Sequence, residues 1–485
     1  MSRRPATPPL AVISAATVST ADPWTVSPSP FDSTACVIGA GPSGLATAKA
    51  LVDRGIDFDW FEKGSMVGGL WRIDNDNGGA AAYETLHLNS SRPLSEFPSN
   101  PMPEDWPDYP SHQLMASYFQ DFADRHGLTG RINFNAPVEK VEPLAGPGRP
   151  GEHGWSVTTP AGTRTYEHIF VANGHHSEPR VPDFPGEFTG ETFHAHEYMS
   201  PEVFDGKDVL VIGVGNSGMD IACDACKLAK SVSVVTRPCE NVLPKYAFGR
   251  PIDQFGTPVN AYLPFPVERR IYEIVQRVSN GRPEDRGLPK PDHRLLSAHP
   301  TVSSEFCDRV GHGDVDMKPG IDRFEGRTVH FEDGSSIEVD MVVYATGYRV
   351  SLPFFDPEIY EPAGNQMPLY ERVLTPELPG LFFIGFVQTV GSNIPLMELQ
   401  AEWTADLVTG ASVLPPEQEM RDWITADQAA MKRRYVRSDR HTMQVDFWRY
   451  SQALKHCRRR NATDQGGIVD RLPKAISSRL MRASA

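Results

Sequence analysis

Apolar positions along this chain fall into short unbroken runs and helix-spaced stripes, and the two alternate. Cys36-Val37-Ile38 is an unbroken run and reads as the end of a buried strand. Behind it Leu45, Ala48, Leu51 and Val52 share one helical face, and Gly55 is placed to stop the helix. The stretch IDFDWF predicts a second strand that runs into Glu62. SHQLMASYFQDFADRHG predicts another helix, with Ser111 as N-cap and Gly127 as stop. HIFVANG, residues 168–174, is again a strand-type run. Beyond a proline-rich linker, KDVLVIGVGNSGMDIACDACKLAKSVSVVTR repeats the opening order of strand, glycine turn, helix and strand. An amphipathic helix near PVERRIYEIVQRVSN carries Ile271, Ile274, Val275 and Val278 on one face. TVHFEDGSSIEVDMVVYATGY reads as two strands around Asp333-Gly334, running into a buried strand. LFFIGF predicts the last buried strand, and SNIPLMELQAEWTADLV a helix after it.

The two glycine turns decide what this alternation is for. Gly39, Gly41 and Gly44 stand in GxGxxG spacing, with Ala40, Pro42 and Ser43 between them. The first glycine permits the tight turn, the second lets backbone approach a pyrophosphate, and the third lets helix and strand pack closely. The helix N-terminus offers unpaired N–H groups to phosphates, and Glu62 can accept hydrogen bonds from a ribose diol. Gly213, Gly215 and Gly218 repeat the spacing, but the second strand here closes on Thr236 and Arg237 rather than on an acid. A guanidinium at that place suits a 2′-phosphate. The first site therefore reads as FAD or NAD and the second as NADP, a pairing that points to a flavin–nicotinamide oxidoreductase. The fold expected is α/β, with two Rossmann-like dinucleotide-binding domains and the NADP domain inserted in the FAD domain. The divisions expected are a disordered or surface tail over 1–33, FAD-domain segments over 34–185 and 326–450, the NADP domain over 186–325, and a basic tail over 451–485.

Composition narrows the partners. Apolar residues at 40% and charged residues at 22% are ordinary for a globular protein, and the net charge of −15 argues against nucleic acid. Six cysteines show no disulfide framework. Cys223 and Cys226 form a CxxC inside a predicted helix, where small buried side chains are the better reading than a metal or redox pair. A reducing, cytoplasmic setting follows. The apolar piece LAVISAATV near the N-terminus is too short to span a membrane, and the basic C-terminal segment supports at most peripheral membrane contact. A homodimer is compatible with this reading. Between Gly64 and Pro110 lies a long irregular path rich in Gly, Asn, Ser and Pro, and such loops are usually functional. No catalytic Ser/His/Asp motif or metal-ligand cluster stands out in the sequence.

FTGETFHAHEY, residues 188–198, matches the FxGxxxHxxxY fingerprint of flavin-containing monooxygenases, and it lies between the two glycine turns as it does in that family. GAGPSG, FEKGSMVGGLW, LNSS, VGNSGMD, SAHPTVSSEF, YATGY and PLMELQAEW resemble the family in its order, covering roughly 33–410. The resemblance implies that NADPH reduces FAD, that O2 adds to give a C4a-hydroperoxyflavin, and that a soft nitrogen or sulfur nucleophile in a small molecule takes up the oxygen. It places Gly39 to Ser43, Glu62, Leu70, Trp71, Asn89 and Ser90 on FAD, and Ser217, Gly218, Met219, Asp220 and the Leu88–Asn89 pair on NADP. Asn89 matches the family's active-site asparagine, whose neutral amide can hydrogen-bond a peroxide without donating a full proton. His194 reads as a structural residue that orients the linker between domains. Baeyer–Villiger oxygenation of ketones, which usually goes with Trp where this chain has Tyr198, and uncoupled NADPH oxidation are the alternatives.

Overall fold

The computed structural model describes residues 31–236, 240–435 and 442–460. Strand β1 (Ser33–Ile38) is almost wholly buried and enters the first glycine turn. Helix α1 (Pro42–Asp53) starts with proline in its first turn, where the missing N–H costs nothing, and Gly55 ends it at φ +65°. Strand β2 (Phe58–Phe61) pairs parallel with β1. Helix α2 (His112–Arg125) is capped by Ser111, whose side chain accepts from the Leu114 N–H. Gly127 follows it at φ +63°. Strands β3 (Ile132–Asn133), β4 (Lys140–Pro143), β5 (Trp155–Thr159) and β6 (Gly162–Val171) complete the first sheet, in the order β3-β2-β1-β6-β5-β4.

The second sheet is built from chain that follows β6. Its order is Asp316–Lys318, Ser231–Val235, Asp208–Ile212, Met341–Tyr344, Glu191–His194, and every pairing in it is parallel. Helix α3 (Asn216–Ala225) joins its strands Asp208–Ile212 and Ser231–Val235, as the repeated glycine turn predicts. The chain then returns: Leu381–Phe383 pairs parallel with β6. The second unit is thus inserted between two neighbouring strands of the first sheet, and the fold is the expected α/β pair of Rossmann-like domains.

Two of the expected divisions fail. A boundary at 325 would cut a hairpin, because Glu325 of Ile321–Gly326 pairs with Thr328 of Thr328–Phe331. The pairing of Met341–Tyr344 then carries the second unit through Tyr344. The segment 451–460 is no tail either. Helices α4 (Phe265–Asn280), α5 (Glu305–His312), α6 (Ile394–Val408) and α7 (Glu417–Arg434) precede a final helix α8 (Phe447–Arg459). Tyr450, Leu454 and Cys457 of α8 are buried in the core of the first unit beside Leu396, Ala401 and Trp403 of α6.

Helix α4 forms as predicted, but the expected stripe divides between its two faces. Ile271, Ile274 and Val278 are 46%, 51% and 66% exposed, while Phe265, Tyr272 and Val275 pack inward on Leu243, Ile252 and Leu296. Cys223 is buried and Cys226 partly so, and burial pushes both thiols up, that of Cys226 to about 11. No grouping of His, Cys, Asp and Glu suited to a metal occurs among the described residues, and no helix among them is long and apolar enough to cross a membrane.

Candidate active site

The first glycine turn is dictated by contact. A Cβ on Gly39 would meet Ala172 O at 2.7 Å, and one on Gly44 would lie 1.9 Å from Gly39 O. Gly41 faces Gly69 of the loop that follows β2, and a Cβ there would sit 3.7 Å from Gly69 Cα and fill the cleft between the two backbones. The ladder of α1 opens with Leu45 N–H to Gly41 O at 3.0 Å, so the N–H groups of its first turn point out of the helix end. A bare backbone cleft over a helix N-terminus fits a pyrophosphate. Ser43 is buried at this end, close enough to Gly385 that a Cβ there would meet its Oγ.

Glu62 is more committed than the sequence suggests. Its Oε2 accepts from Ala40 N–H at 2.6 Å, and its Oε1 accepts from Gly64 N–H at 2.8 Å and Asn77 Nδ2 at 3.0 Å. A carboxylate offers about four acceptor positions, so three protein donors leave room for one ribose hydroxyl. Leu70 and Trp71 form a single 3-10 turn with Gly69, whose carbonyl accepts from Asn75 Nδ2 at 2.8 Å.

The second glycine turn repeats the geometry. A Cβ on Gly213 would meet Ala345 O at 2.5 Å, and one on Gly218 would meet Gly213 O at 2.2 Å. Met219 N–H to Gly215 O, 3.0 Å, starts the α3 ladder, which leaves the N–H groups of Asn216, Ser217 and Gly218 for an anion. The side chains of Met219 and Asp220 do not face that end. Met219 is fully buried, and Asp220 Oδ2 accepts from Tyr83 OH at 2.7 Å. Both side chains are thus engaged in packing α3. Burial pushes the Asp220 carboxyl up to about 6. Thr236 lies just beyond its strand, and Arg237 lies outside the described residues.

The fingerprint residues work as joints. A Cβ on Gly190 would meet Asp340 O at 2.5 Å. His194 Nδ1 accepts from His196 N–H at 3.1 Å, which fixes its proton on Nε2, and Nε2 donates to Gly347 O at 3.0 Å. Tyr198 OH donates to Asp224 Oδ2 at 2.9 Å, and Thr85 Oγ1 donates to the same oxygen. Tyr83 and Thr85 stand just ahead of Leu88, Asn89 and Ser90, so α3 grips the loop that carries Asn89.

That loop is held on its other side too. Leu88 N–H donates to Pro110 O at 2.9 Å, Ser90 Oγ pairs with Ser95 Oγ at 2.7 Å, and Ser91 N–H donates to Asp253 Oδ2 at 2.6 Å. Asn89 itself is different: its Oδ1 is buried without a hydrogen-bond partner. It lines a cavity of about 80 Å³ whose apolar wall includes Leu243, Ile252, Leu296, Val302, Val390 and Phe447. Sequence reasoning missed these walls and the polar residues among them, Asp253 and Gln444 included. Leu243, Ile252, Asp253 and Leu296 come from the 240–300 segment and Gln444 and Phe447 from the chain after 442, and none of these positions lies in a motif.

An oxygenation site needs such a chamber: apolar walls that exclude water and a fixed polar group at one end. The family profile described as FMO-like, flavin-binding monooxygenase-like, matches residues 33–461. The chain belongs to this family and is an FAD-containing, NADPH-dependent monooxygenase. Flavin-containing monooxygenase 5 from Oryctolagus cuniculus is 34% identical over 435 residues, spanning 85% of this chain and 80% of that protein. The S-allyl-L-cysteine S-oxygenase from Allium sativum superposes with a TM-score of 0.66 at 24% identity, over 93% of each chain. OTEMO in its complex with FAD and NADP superposes with a TM-score of 0.66 at 18% identity, over 88% of this chain and 97% of that one, a likeness of fold.

Proposed function

We propose that the enzyme oxygenates soft nitrogen or sulfur atoms of small molecules, with Asn89 as the polar group beside the reacting oxygen. When bound, FAD reduced by NADPH supplies the activation of O2. The chain's own share is to bind and to exclude water. The two glycine turns would hold the pyrophosphates on the N-termini of α1 and α3, Glu62 would take a ribose hydroxyl, and the apolar walls would keep water from the reacting atoms. The observation that carries the reading is Asn89: a neutral amide, half-buried, with an unpartnered Oδ1 and a place on an apolar cavity. A neutral amide polarises without delivering a proton, which suits transfer of an electrophilic oxygen to a lone pair.

Ketone oxygenation is less well supported. It is helped by a cationic side chain that holds a nucleophilic peroxide, and the two guanidiniums on this cavity are otherwise engaged. Arg434 forms a bidentate pair with Asp446 at 2.6 Å, and Arg449 reaches Asp446 and Glu268 at 2.7 Å each. We place the enzyme in the cytoplasm, with at most peripheral membrane contact; a homodimer is compatible with the fold. The test is to supply purified holoenzyme with NADPH, O2 and panels of amines, sulfides and ketones. One sulfoxide or N-oxide per NADPH supports the reading. Lactone or ester formation as the main product, or H2O2 alone, refutes it.

A further inference from the structure

Three acceptor oxygens face this cavity region without donors: Asn89 Oδ1, Asp253 Oδ1 and Gln444 Oε1. Gln444 is 2% exposed, so solvent does not satisfy it. Buried acceptors without partners are costly, and three on one cavity point to a ligand rich in donors. The charges on the wall say more. Arg434, Asp446, Arg449 and Glu268 form one connected set of two cations and two anions and cancel. Asp253 stands outside that set. Its Oδ2 is used by the Ser91 N–H, no cation is paired with it among the described residues, and burial pushes its carboxyl up. Among the described residues the cavity therefore carries one carboxylate without a cation, tied to Ser91, two positions after Asn89.

We infer that Asp253 selects substrates that carry an ammonium group in addition to the soft atom to be oxygenated, the ammonium donating to Asp253 and the soft atom lying toward Asn89. This deepens the proposed function and rests on it. An ammonium has three donors and no acceptor, which matches the unpartnered oxygens of Asp253 and Gln444. Its protonated nitrogen has no lone pair, so it is not the atom oxygenated. The substrate class is a small aminoalkyl thioether or a diamine with one neutral tertiary nitrogen. Gln444 offers the ammonium a second acceptor.

The test compares two probes in purified holoenzyme at pH 7: 2-(methylthio)ethylamine, which is cationic, and its neutral near-isostere methyl propyl sulfide. Sulfoxide formation gives kcat/KM for each. The cationic probe should be favoured in the wild type by about 10- to 100-fold, the size of one charge-assisted hydrogen bond. Asp253→Asn keeps an acceptor for the Ser91 N–H and removes only the charge, and it should bring the ratio of the two probes close to one. Asp253→Glu restores the charge and should recover part of the preference. A wild type that prefers the neutral probe overturns the inference without any variant, and so does an unchanged ratio in Asp253→Asn. If neither probe yields sulfoxide while ketones are oxygenated, the underlying reading fails; if both are oxygenated equally, only the role of Asp253 does.

Discussion

Asn89 is the side chain on which oxygenation and simple NADPH oxidation should part. Asn89→Leu touches neither glycine turn, so FAD retention and reduction by NADPH should persist. The apolar side chain offers no hydrogen bond at the reacting oxygen, and loss of one such group costs on the order of 3 kcal/mol, or about a hundredfold. Product yield should collapse and H2O2 should rise in its place. Stopped-flow spectra with parallel product and peroxide assays separate this from a structural role, which would weaken FAD retention and reduction together. Arg237 is the proposed determinant of a different choice. A guanidinium on the 2′-phosphate is worth roughly 1.5–3 kcal/mol, so Arg237→Ala should lose about 10- to 100-fold of the preference for NADPH over NADH; equal kcat/KM with both cofactors in the wild type would refute the assignment. Single residues were legible where backbone contact demands glycine at a fixed spacing, as at Gly39 and Gly44. Asp253 was not, because its meaning comes from Ser91, 162 positions away in the chain, and from charges on α4, α7 and α8.

Elements follow the same division. The period of Leu45, Ala48 and Leu51 fixes α1, and all three are fully buried. The period of Ile271, Ile274 and Val278 fixes α4 equally well but does not say which way the stripe faces. In this helix Tyr272, Val275 and Gln276 carry the inward contacts, and Gln276 donates to Val242 O at 2.8 Å. The division placed at 325 failed for a related reason: a hairpin signal locates a turn, not the sheet that its strands join. The close approach in the glycine turns permits a test at this scale. Gly44→Ala would drive its Cβ to 1.9 Å from the Gly39 carbonyl, which is backbone and cannot step aside. The expected outcome is colourless protein, with the α1 end displaced and FAD lost on purification. Gly130→Ala, where nothing lies within 4 Å, is the control and should stay yellow. A yellow Gly44→Ala protein would show that the turn is not the pyrophosphate seat.

At the scale of the molecule, the two units share more than a chain crossing. Tyr83 on Asp220, and Tyr198 with Thr85 on Asp224, fasten α3 of the second unit to the segment that leads into Asn89. The insertion topology was legible from two glycine turns and one returning strand, whereas these bolts appear only when α3 is laid against residues 83–85. Tyr83→Phe removes one bolt and leaves the half-buried Asp220 without that donor. An acid raised from 3.8 to about 6 holds its proton more tightly folded than unfolded. Its favourable contribution is therefore full below about pH 4 and is lost as pH rises through about 6. Tyr83 eases the ionised form, so the variant should lose more stability at pH 8 than at pH 5, by about 1–3 kcal/mol at the higher pH. Thermal unfolding at both values measures this. If the bolt also sets where Asn89 sits relative to the nicotinamide side, product per NADPH should fall and H2O2 should rise, while flavin content stays at the wild-type level. Equal melting losses at the two pH values would remove Asp220 from the account, and unchanged coupling would reduce the Tyr83 contact to packing alone.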